Sequence, residues 1–149
     1  MIANQKNKPH YKNMVISDVH IGMKDCKANE LYTFLKSCTF NVLILNGDIV
    51  DSFHLRNEDE KMQIYMKIFK LILKRIRKGT KVIYVRGNHD NFIGHFVSAN
   101  LPFENFKTVE EYIIEDGNNK IFIVHGDIFD KHIPPIMYKL GSIGYDKNK

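Results

Sequence analysis

Cysteine is scarce in this chain of 149 residues, which contains only Cys26 and Cys38. Two thiols cannot build the disulfide framework of a small secreted protein, so a cytoplasmic location is expected. Long apolar runs are absent too. The longest, such as 42–45 and 121–124, have the length of buried strands and fall far short of the roughly 20 residues that a membrane-spanning helix needs. The polar N-terminal residues lack the apolar core of a signal peptide.

The overall composition is that of an ordinary globular protein. Apolar residues make up 44% of the chain and charged residues 26%, which argues against a disordered, fibrous or coiled-coil protein. The length favours a single domain, expected to span residues 1–149. The net charge of +5 is compatible with an anionic partner, such as nucleic acid, a phosphorylated substrate or an anionic membrane face, and does not choose among them.

Hydrophobic periodicity predicts alternating strands and helices. Strands are predicted at 14–17, 41–46, 81–85, 112–115 and 120–124, and helices at 27–38, 59–78 and 128–145. The last two strands flank a turn and are expected to form a hairpin. The last helix is interrupted by Pro134 and Pro135. Strands joined by crossover helices indicate an α/β fold with a largely parallel sheet.

The segment 61–81 holds eight basic side chains and no acidic one. Its simplest explanation is a solvated helix face opposite the apolar stripe of the same helix. The functional alternative is a surface that contacts an anionic membrane or nucleic acid.

Four segments share one design, in which an apolar strand runs into a short polar loop rich in metal-ligand side chains. They are 17–22 (SDVHIG), 46–51 (NGDIVD), 86–90 (RGNHD) and 124–127 (VHGD). In open α/β sheets, ligands bind outside the carboxyl ends of the strands. We therefore expect four strands to deliver these side chains to one edge of one sheet.

The residue types in these loops suit a pair of divalent cations. Asp18 and His20 are two residues apart, and in an extended segment both would point to the same side and reach one ion. Asp48 has two carboxylate oxygens and can bridge two ions. Imidazole suits Zn, Mn, Fe or Co, and carboxylate or amide oxygen favours harder ions such as Mn or Mg. The lack of thiolate argues against an iron–sulfur or structural zinc site.

Each motif alone has a simpler explanation. An isolated Asp-x-His arises by chance, and Asn-Gly-Asp is typical of a turn. Gly-Asn-His-Asp is compatible with a turn that caps the next helix, and His125 with a hydrogen-bonded core histidine. The signal is the conjunction of the four motifs, each at the end of a strand.

In this order the motifs resemble those of the calcineurin-like metallophosphoesterase superfamily, which are D-x-H, G-D-x-x-D, G-N-H-D/E, a lone His and G-H-x-H. The first four stand here as Asp18-Val19-His20, Gly47-Asp48-Ile49-Val50-Asp51, Gly87-Asn88-His89-Asp90 and His125. The resemblance runs from Met14 to Tyr145. It implies the N-terminal part of a four-layer αββα sandwich whose later strands are missing.

A narrower resemblance is to the UDP-2,3-diacylglucosamine diphosphatase-like proteins of lipid A synthesis. It is carried by the stretches 17–22, 26–31, 78–84, 125–130 and 140–146. His89 departs from it, because the best-known form of that diphosphatase has arginine at this position. The resemblance implies a lipid-linked nucleotide substrate and, with the basic segment, a peripheral contact with the inner face of the membrane.

The superfamily resemblance also implies which residues hold metal. Asp18 and His20 would hold a first divalent ion, Asn88 and His125 a second, and Asp48 would bridge both. The implied cofactors are two divalent metal ions, with Mn expected and Fe, Zn or Co as alternatives.

Other matched positions are implied to act on the substrate or to support the ligands. His89 would act near the leaving group as a proton donor or charge stabiliser. Asp51 and Asp90 would form a supporting shell, and Arg86 together with Asn88 would bind the phosphate of the substrate.

The fifth family element, Gly-His-x-His, does not occur in this sequence. In the family its two histidines complete one metal each. We therefore expect the chain to be an N-terminal portion, from a truncated protein, a split gene or a decaying gene, in which each metal lacks one protein ligand.

Three hypotheses follow for the function. The first is a metal-dependent phosphohydrolase of a phosphoester or pyrophosphate bond. The second is a nuclease or nucleotide phosphodiesterase with the same motifs. The third is a catalytically inactive remnant or interaction module, or a chain complemented by a partner that supplies the missing histidines.

Overall fold

The computed structural model describes residues 8–51, 54, 61–90 and 103–129. In chain order the elements are β1 (His10–Ile16), α1 (Ala28–Ser37), β2 (Thr39–Asn46), α2 (Met62–Arg77), β3 (Lys81–Val85), β4 (Phe106–Val109), β5 (Glu111–Asp116) and β6 (Asn119–Val124). A short 3-10 helix follows at Gly126–Phe129. The predicted α/β class with a largely parallel sheet is confirmed.

The strands form two separate sheets. The first holds β1, β2, β3 and β4 in that order, and all three neighbouring pairs are parallel. The second is the antiparallel β5–β6 hairpin, whose pairing runs from Glu111 opposite Val124 to Asp116 opposite Asn119. Gly117 takes the positive φ of +60° that this two-residue turn requires.

Alternating side chains of the parallel sheet reach two different layers. Leu43 and Val82 point to the core that the sheet shares with α1 and α2, whereas Ile44 and Ile83 point to a second core. That second core includes Ile114 of the hairpin. The helices therefore cover one face of the sheet and the hairpin covers part of the other.

Several predicted boundaries change in the structure. β1 starts at His10 rather than at residue 14, because the polar residues before Met14 pair with the first half of β2. β4 was not predicted, since its four residues include an exposed Lys107 and carry little periodicity. The predicted hairpin is confirmed, while most of the predicted helix at 128–145 lies outside the described residues.

In the described part of the chain, neither helix combines the length and the apolarity needed to cross a bilayer.

Arg75 of α2 joins the two helices. Its guanidinium donates to the carbonyl of Cys38 at 2.9 Å and to that of Leu35, and it stacks over the Phe40 ring at 4.3 Å. It therefore caps the C-terminal end of α1, where carbonyls lack partners within the helix.

We expect Arg75→Met to lower the free energy of unfolding by about 1–3 kcal/mol, because hydrogen bonds from a charged donor to partly buried carbonyls are lost. Urea denaturation followed by circular dichroism measures this value. The neighbouring exposed Lys74→Met is the control and should change stability by less than about 0.5 kcal/mol. Equal effects of the two substitutions would contradict the capping role.

Candidate metal centre

The loops that follow β1 and β2 run side by side beyond the end of the sheet. The His20 backbone N–H donates to the Asp48 carbonyl at 2.9 Å, and Ile21 forms an isolated parallel bridge with Val50. The sheet register is thus continued into two loops that carry predicted metal ligands. This continuation of the backbone pairing brings His20 and Asp48 together.

Three of the predicted metal ligands have left-handed backbones. Asp18, His20 and Asp48 have φ of +53°, +49° and +51°, and no other described non-glycine residue has a positive φ. Each such residue costs about 1–2 kcal/mol relative to the right-handed conformation. Strain of this kind persists where the surrounding structure enforces it, and it clusters at functional sites.

The expectation of an extended Asp18–His20 segment is therefore wrong. With two left-handed residues the alternation of an extended strand no longer applies, and the two side chains need not reach the same ion. In the structure they belong to different groups of ligand atoms. His20 groups with Asp48 and His89, whereas Asp18 groups with Asp48 and His125, and the ligand atoms within each group all lie within 4.8 Å of one another.

The Asp48 carboxylate is common to both groups. Its Oδ2 lies 3.5 Å from Nε2 of His125, 3.8 Å from Nε2 of His20 and 4.0 Å from Nε2 of His89. Ligand atoms that share an ion at about 2.1 Å are separated from one another by about 3–4 Å. The donor set is a mixture of imidazole and carboxylate, which suits a divalent transition metal. The residues present therefore fit a metal centre in which Asp48 is the shared ligand.

Asp51 is a fully buried carboxylate that lies beside the histidines of this centre. It forms hydrogen bonds with Nδ1 of His54 at 2.8 Å and with Nδ1 of His89 at 3.0 Å, and its Oδ2 lies 3.8 Å from Nδ1 of His20. Burial raises the pKa of Asp51, but the surrounding imidazoles outweigh it and hold the pKa far below its ordinary range. Asp51 in turn raises the pKa of both His20 and His89, against burial, which lowers it.

Asp90 ties the loop after β3 to the loop after β2. This buried carboxylate accepts hydrogen bonds from the backbone N–H of Gly87 at 3.0 Å and of Ile49 at 2.7 Å, and from the Tyr84 hydroxyl at 2.6 Å. Burial and the Asp90 charge raise the pKa of Tyr84, so Tyr84 remains a donor. The contribution of Tyr84 was not predicted, because nothing in the local sequence indicates that a tyrosine in a strand forms a hydrogen bond with Asp90, six residues later.

His125 comes from the second sheet, so the expectation that four strands of one sheet deliver the ligands is wrong. β1, β2 and β3 belong to the parallel sheet, and His125 follows β6 of the hairpin. Asn46 joins the two sheets at this point. The side-chain amide of Asn46 donates to the Val124 carbonyl at 3.2 Å. The backbone carbonyl of Asn46 lies 3.3 Å from Nδ1 of His125.

Arg86 and Asn88 were predicted to bind the substrate phosphate. The Arg86 guanidinium pairs with the carboxylate of Glu110, which is the residue that links β4 to β5. Asn88 is partly buried in the turn between Gly87 and His89. Both side chains therefore belong to the loop that carries His89, and their roles toward a substrate remain predictions.

Two glycines lie so close to predicted metal ligands that a side chain at either position would collide with them. A Cβ at Gly47, where φ is +68°, would lie 2.3 Å from the His125 ring. A Cβ at Gly87 would lie 2.3 Å from Oδ1 of Asp48 and 2.6 Å from the Asp48 backbone nitrogen. Neither position can carry a side chain without moving a residue of the centre.

Comparison with known proteins identifies a family whose sequence model matches this chain. The sequence model of the calcineurin-like phosphoesterases matches residues 11–145. Among solved structures, the crystal structure of the Pseudomonas putida nuclease MPE matches with a TM-score of 0.42 and 22% sequence identity, over 71% of this chain. The chain spans about half of the length of that structure, 51%. No curated protein matches the chain.

We expect Gly87→Ala to displace the Asp48 carboxylate and to weaken Mn²⁺ binding by at least about tenfold, since outer contacts of a metal site alone are worth 10–100-fold. Isothermal titration calorimetry on the purified chain measures the affinity. Gly126→Ala is the matched control, because a Cβ there meets nothing within 4 Å apart from its own chain neighbours, one of which is His125. Similar affinities for the two variants would contradict this placement of Asp48.

The left-handed backbone at Asp18 predicts an unusual order of stabilities. Asp18→Gly and Asp18→Ala both remove the carboxylate, but only alanine keeps the left-handed strain. We therefore expect the glycine variant to be more stable than the alanine variant by about 1 kcal/mol in urea denaturation without metal. The reverse order is expected at Lys12 in β1. A glycine variant of Asp18 less stable than the alanine variant would contradict the left-handed conformation.

Proposed function

Because the chain belongs to the calcineurin-like phosphoesterase family, we propose that it is a metal-dependent phosphohydrolase that uses two divalent cations to hydrolyse a phosphoester or pyrophosphate bond. The proposal covers residues 1–149 as a single domain. The observation that carries it is the Asp48 carboxylate, which is buried and common to two groups of ligand atoms.

The proposed ligand roles start from this shared carboxylate. Asp48 would contribute to holding both ions, His20 would hold one of them, and His125 would hold the other together with Asn88. Asp18 lies in the group of His125 in the structure, and the family resemblance pairs it with His20. The two cations would supply Lewis-acid charge for the phosphoryl oxygens and would activate a water for attack.

The protein itself would manage the proton and the orientation of the substrate. Asp51 accepts the hydrogen bond of His89 Nδ1 at 3.0 Å, which fixes the ring and turns Nε2 toward Asp48. A ring held in this way is suited to give a proton to the leaving oxygen or to stabilise its charge. Arg86 and Asn88 would orient the phosphate from the neighbouring loop.

A cleft beside the centre offers room for the rest of the substrate. It has a volume of about 390 Å³, and its lining includes the predicted ligands Asp18 and His20 together with the apolar Met23 and Leu31. The apolar side chains of this lining suit a molecule that carries an apolar part, and Lys27 is its one basic residue beside Asp18, Asp25 and Glu30. We propose a UDP-2,3-diacylglucosamine-type substrate of lipid A synthesis.

The exposed face of α2 supports an anionic partner of either substrate class. Lys67, Lys70, Lys74 and Arg77 are all exposed and recur at intervals of three or four residues, which places them on one side of the helix. A lipid-linked substrate would bring this face to the inner face of the membrane, and a nucleic acid would lie along it. A nuclease or nucleotide phosphodiesterase is therefore the second candidate function.

We expect the purified chain to hydrolyse bis(p-nitrophenyl) phosphate in the presence of Mn²⁺, and Asp48→Ala to lower the rate by at least about 100-fold, because both ions lose a ligand. Release of p-nitrophenolate, followed by absorbance, measures the rate. Asp116→Ala, at the exposed tip of the hairpin, is the control and should be unchanged.

Inactivity of a folded wild-type chain would contradict the phosphohydrolase proposal and favour an inactive remnant. The same assay with UDP-diacylglucosamine and with single-stranded DNA separates the two substrate classes. Cleavage of DNA alone would contradict the lipid-linked substrate.

A further inference from the structure

Asp51 divides its two carboxylate oxygens between different partners. Oδ1 accepts the ring N–H of His54 at 2.8 Å and the backbone N–H of His54 at 3.1 Å. Oδ2 accepts Nδ1 of His89 at 3.0 Å and lies 3.8 Å from Nδ1 of His20. One oxygen is thus held by His54, and the other faces the two imidazoles that point toward Asp48.

We propose that His54 is a positioning residue of the metal centre, which acts by fixing the rotation of the Asp51 carboxylate. This inference rests on the proposed function, since it concerns the ligands of the proposed metal ions. The terminal torsion of an aspartate is broad, so a carboxylate needs contacts on both oxygens to hold one orientation. His54 supplies two donors on the same oxygen, one from its ring and one from its backbone.

The position of His54 suits this role. It follows Asp51 by three residues, and its backbone N–H also donates to the Asp51 carbonyl at 3.3 Å. The ring is 19% exposed, whereas Asp51 is completely buried. The hydrogen bond therefore joins a partly exposed ring to a buried carboxylate whose other oxygen faces His89 and His20.

His54 acts on the centre through two linked contacts, one to the proposed proton donor His89 and one to the proposed ligand His20. Asp51 orients the His89 ring, and Nε2 of that ring lies 4.0 Å from Oδ2 of Asp48. The same Asp51 oxygen stands beside Nδ1 of His20, whose Nε2 lies 3.8 Å from Oδ2 of Asp48. Carboxylates that orient ligand imidazoles typically change metal affinity 10–100-fold when they are disturbed.

The test uses Mn²⁺ as the probe and measures its affinity for the metal-free chain by calorimetry. We expect His54→Leu to bind Mn²⁺ about tenfold more weakly than the wild type, because Oδ1 of Asp51 loses the ring donor and the backbone N–H that remains holds the carboxylate less firmly. His54→Asn places an amide N–H near the position of Nδ1 and should restore the affinity to within about twofold. His54→Gln carries its amide one methylene farther away and should resemble leucine.

A control and a double-mutant cycle separate positioning from a general loss of structure. His10→Leu, in the first residue of β1 at the opposite end of the strand from Asp18, should leave the affinity unchanged. In the Asp51→Asn background, His54→Leu should cause no further loss, because the carboxylate through which His54 acts is gone. Thermal melting of each metal-free variant shows that the comparison is made on folded protein.

The outcomes also distinguish this proposal from the proposed function. Wild-type affinity in His54→Leu, or a tenfold loss that persists in the Asp51→Asn background, would overturn the positioning role while leaving the metal centre intact. Wild-type protein that binds no Mn²⁺, or binds it equally well after Asp48→Asn, would overturn both. A weaker affinity in the leucine and glutamine variants with recovery in asparagine would establish the role.

Discussion

The candidate centre depends on the hydrogen bonds that hold the loops after β1 and β2 against each other. These loops leave a parallel sheet whose register would otherwise end at Ile16 and Leu45. Backbone donors on the first loop pair with carbonyls on the second, at 3.2 Å from Asp18 to Gly47 and at 2.9 Å from His20 to Asp48. They keep these side chains together although like charges and left-handed backbones both oppose the arrangement.

Two buried carboxylates then secure what the backbone brings together. Asp90 joins the loop after β3 to the loop after β2, and Asp51 gathers His54 and His89 on its two oxygens. A buried carboxylate is tolerated only when donors surround it, and both have them. Asp51 also orients the His89 ring on which the proposed proton transfer depends. The carboxylates that stabilise the loops therefore also position the groups of the site.

Much of this arrangement could be predicted from the sequence. Apolar runs located β2 and β3, and the pair of runs around Gly117 located the hairpin, because period and turn chemistry are local signals. The candidate ligands could be named because residue type and strand-end position are local as well.

What sequence could not reveal depends on contacts between distant residues. The hydrophobic pattern does not say that β6 leaves the parallel sheet, so His125 was expected on the wrong sheet. The left-handed backbone at Asp18 and His20 is imposed by the neighbouring loop and has no signature in Asp-x-His. Tyr84 and His54 became part of the site only when their partners were placed.

The most direct test of the bridging role of Asp48 is the electron paramagnetic resonance spectrum of the chain with two equivalents of Mn²⁺. Two ions about 3.5–4 Å apart and joined by one carboxylate should give an exchange-coupled spectrum, and Asp48→Asn should abolish the coupling. A spectrum of isolated ions in the wild type, unchanged by the substitution, would contradict a shared carboxylate ligand.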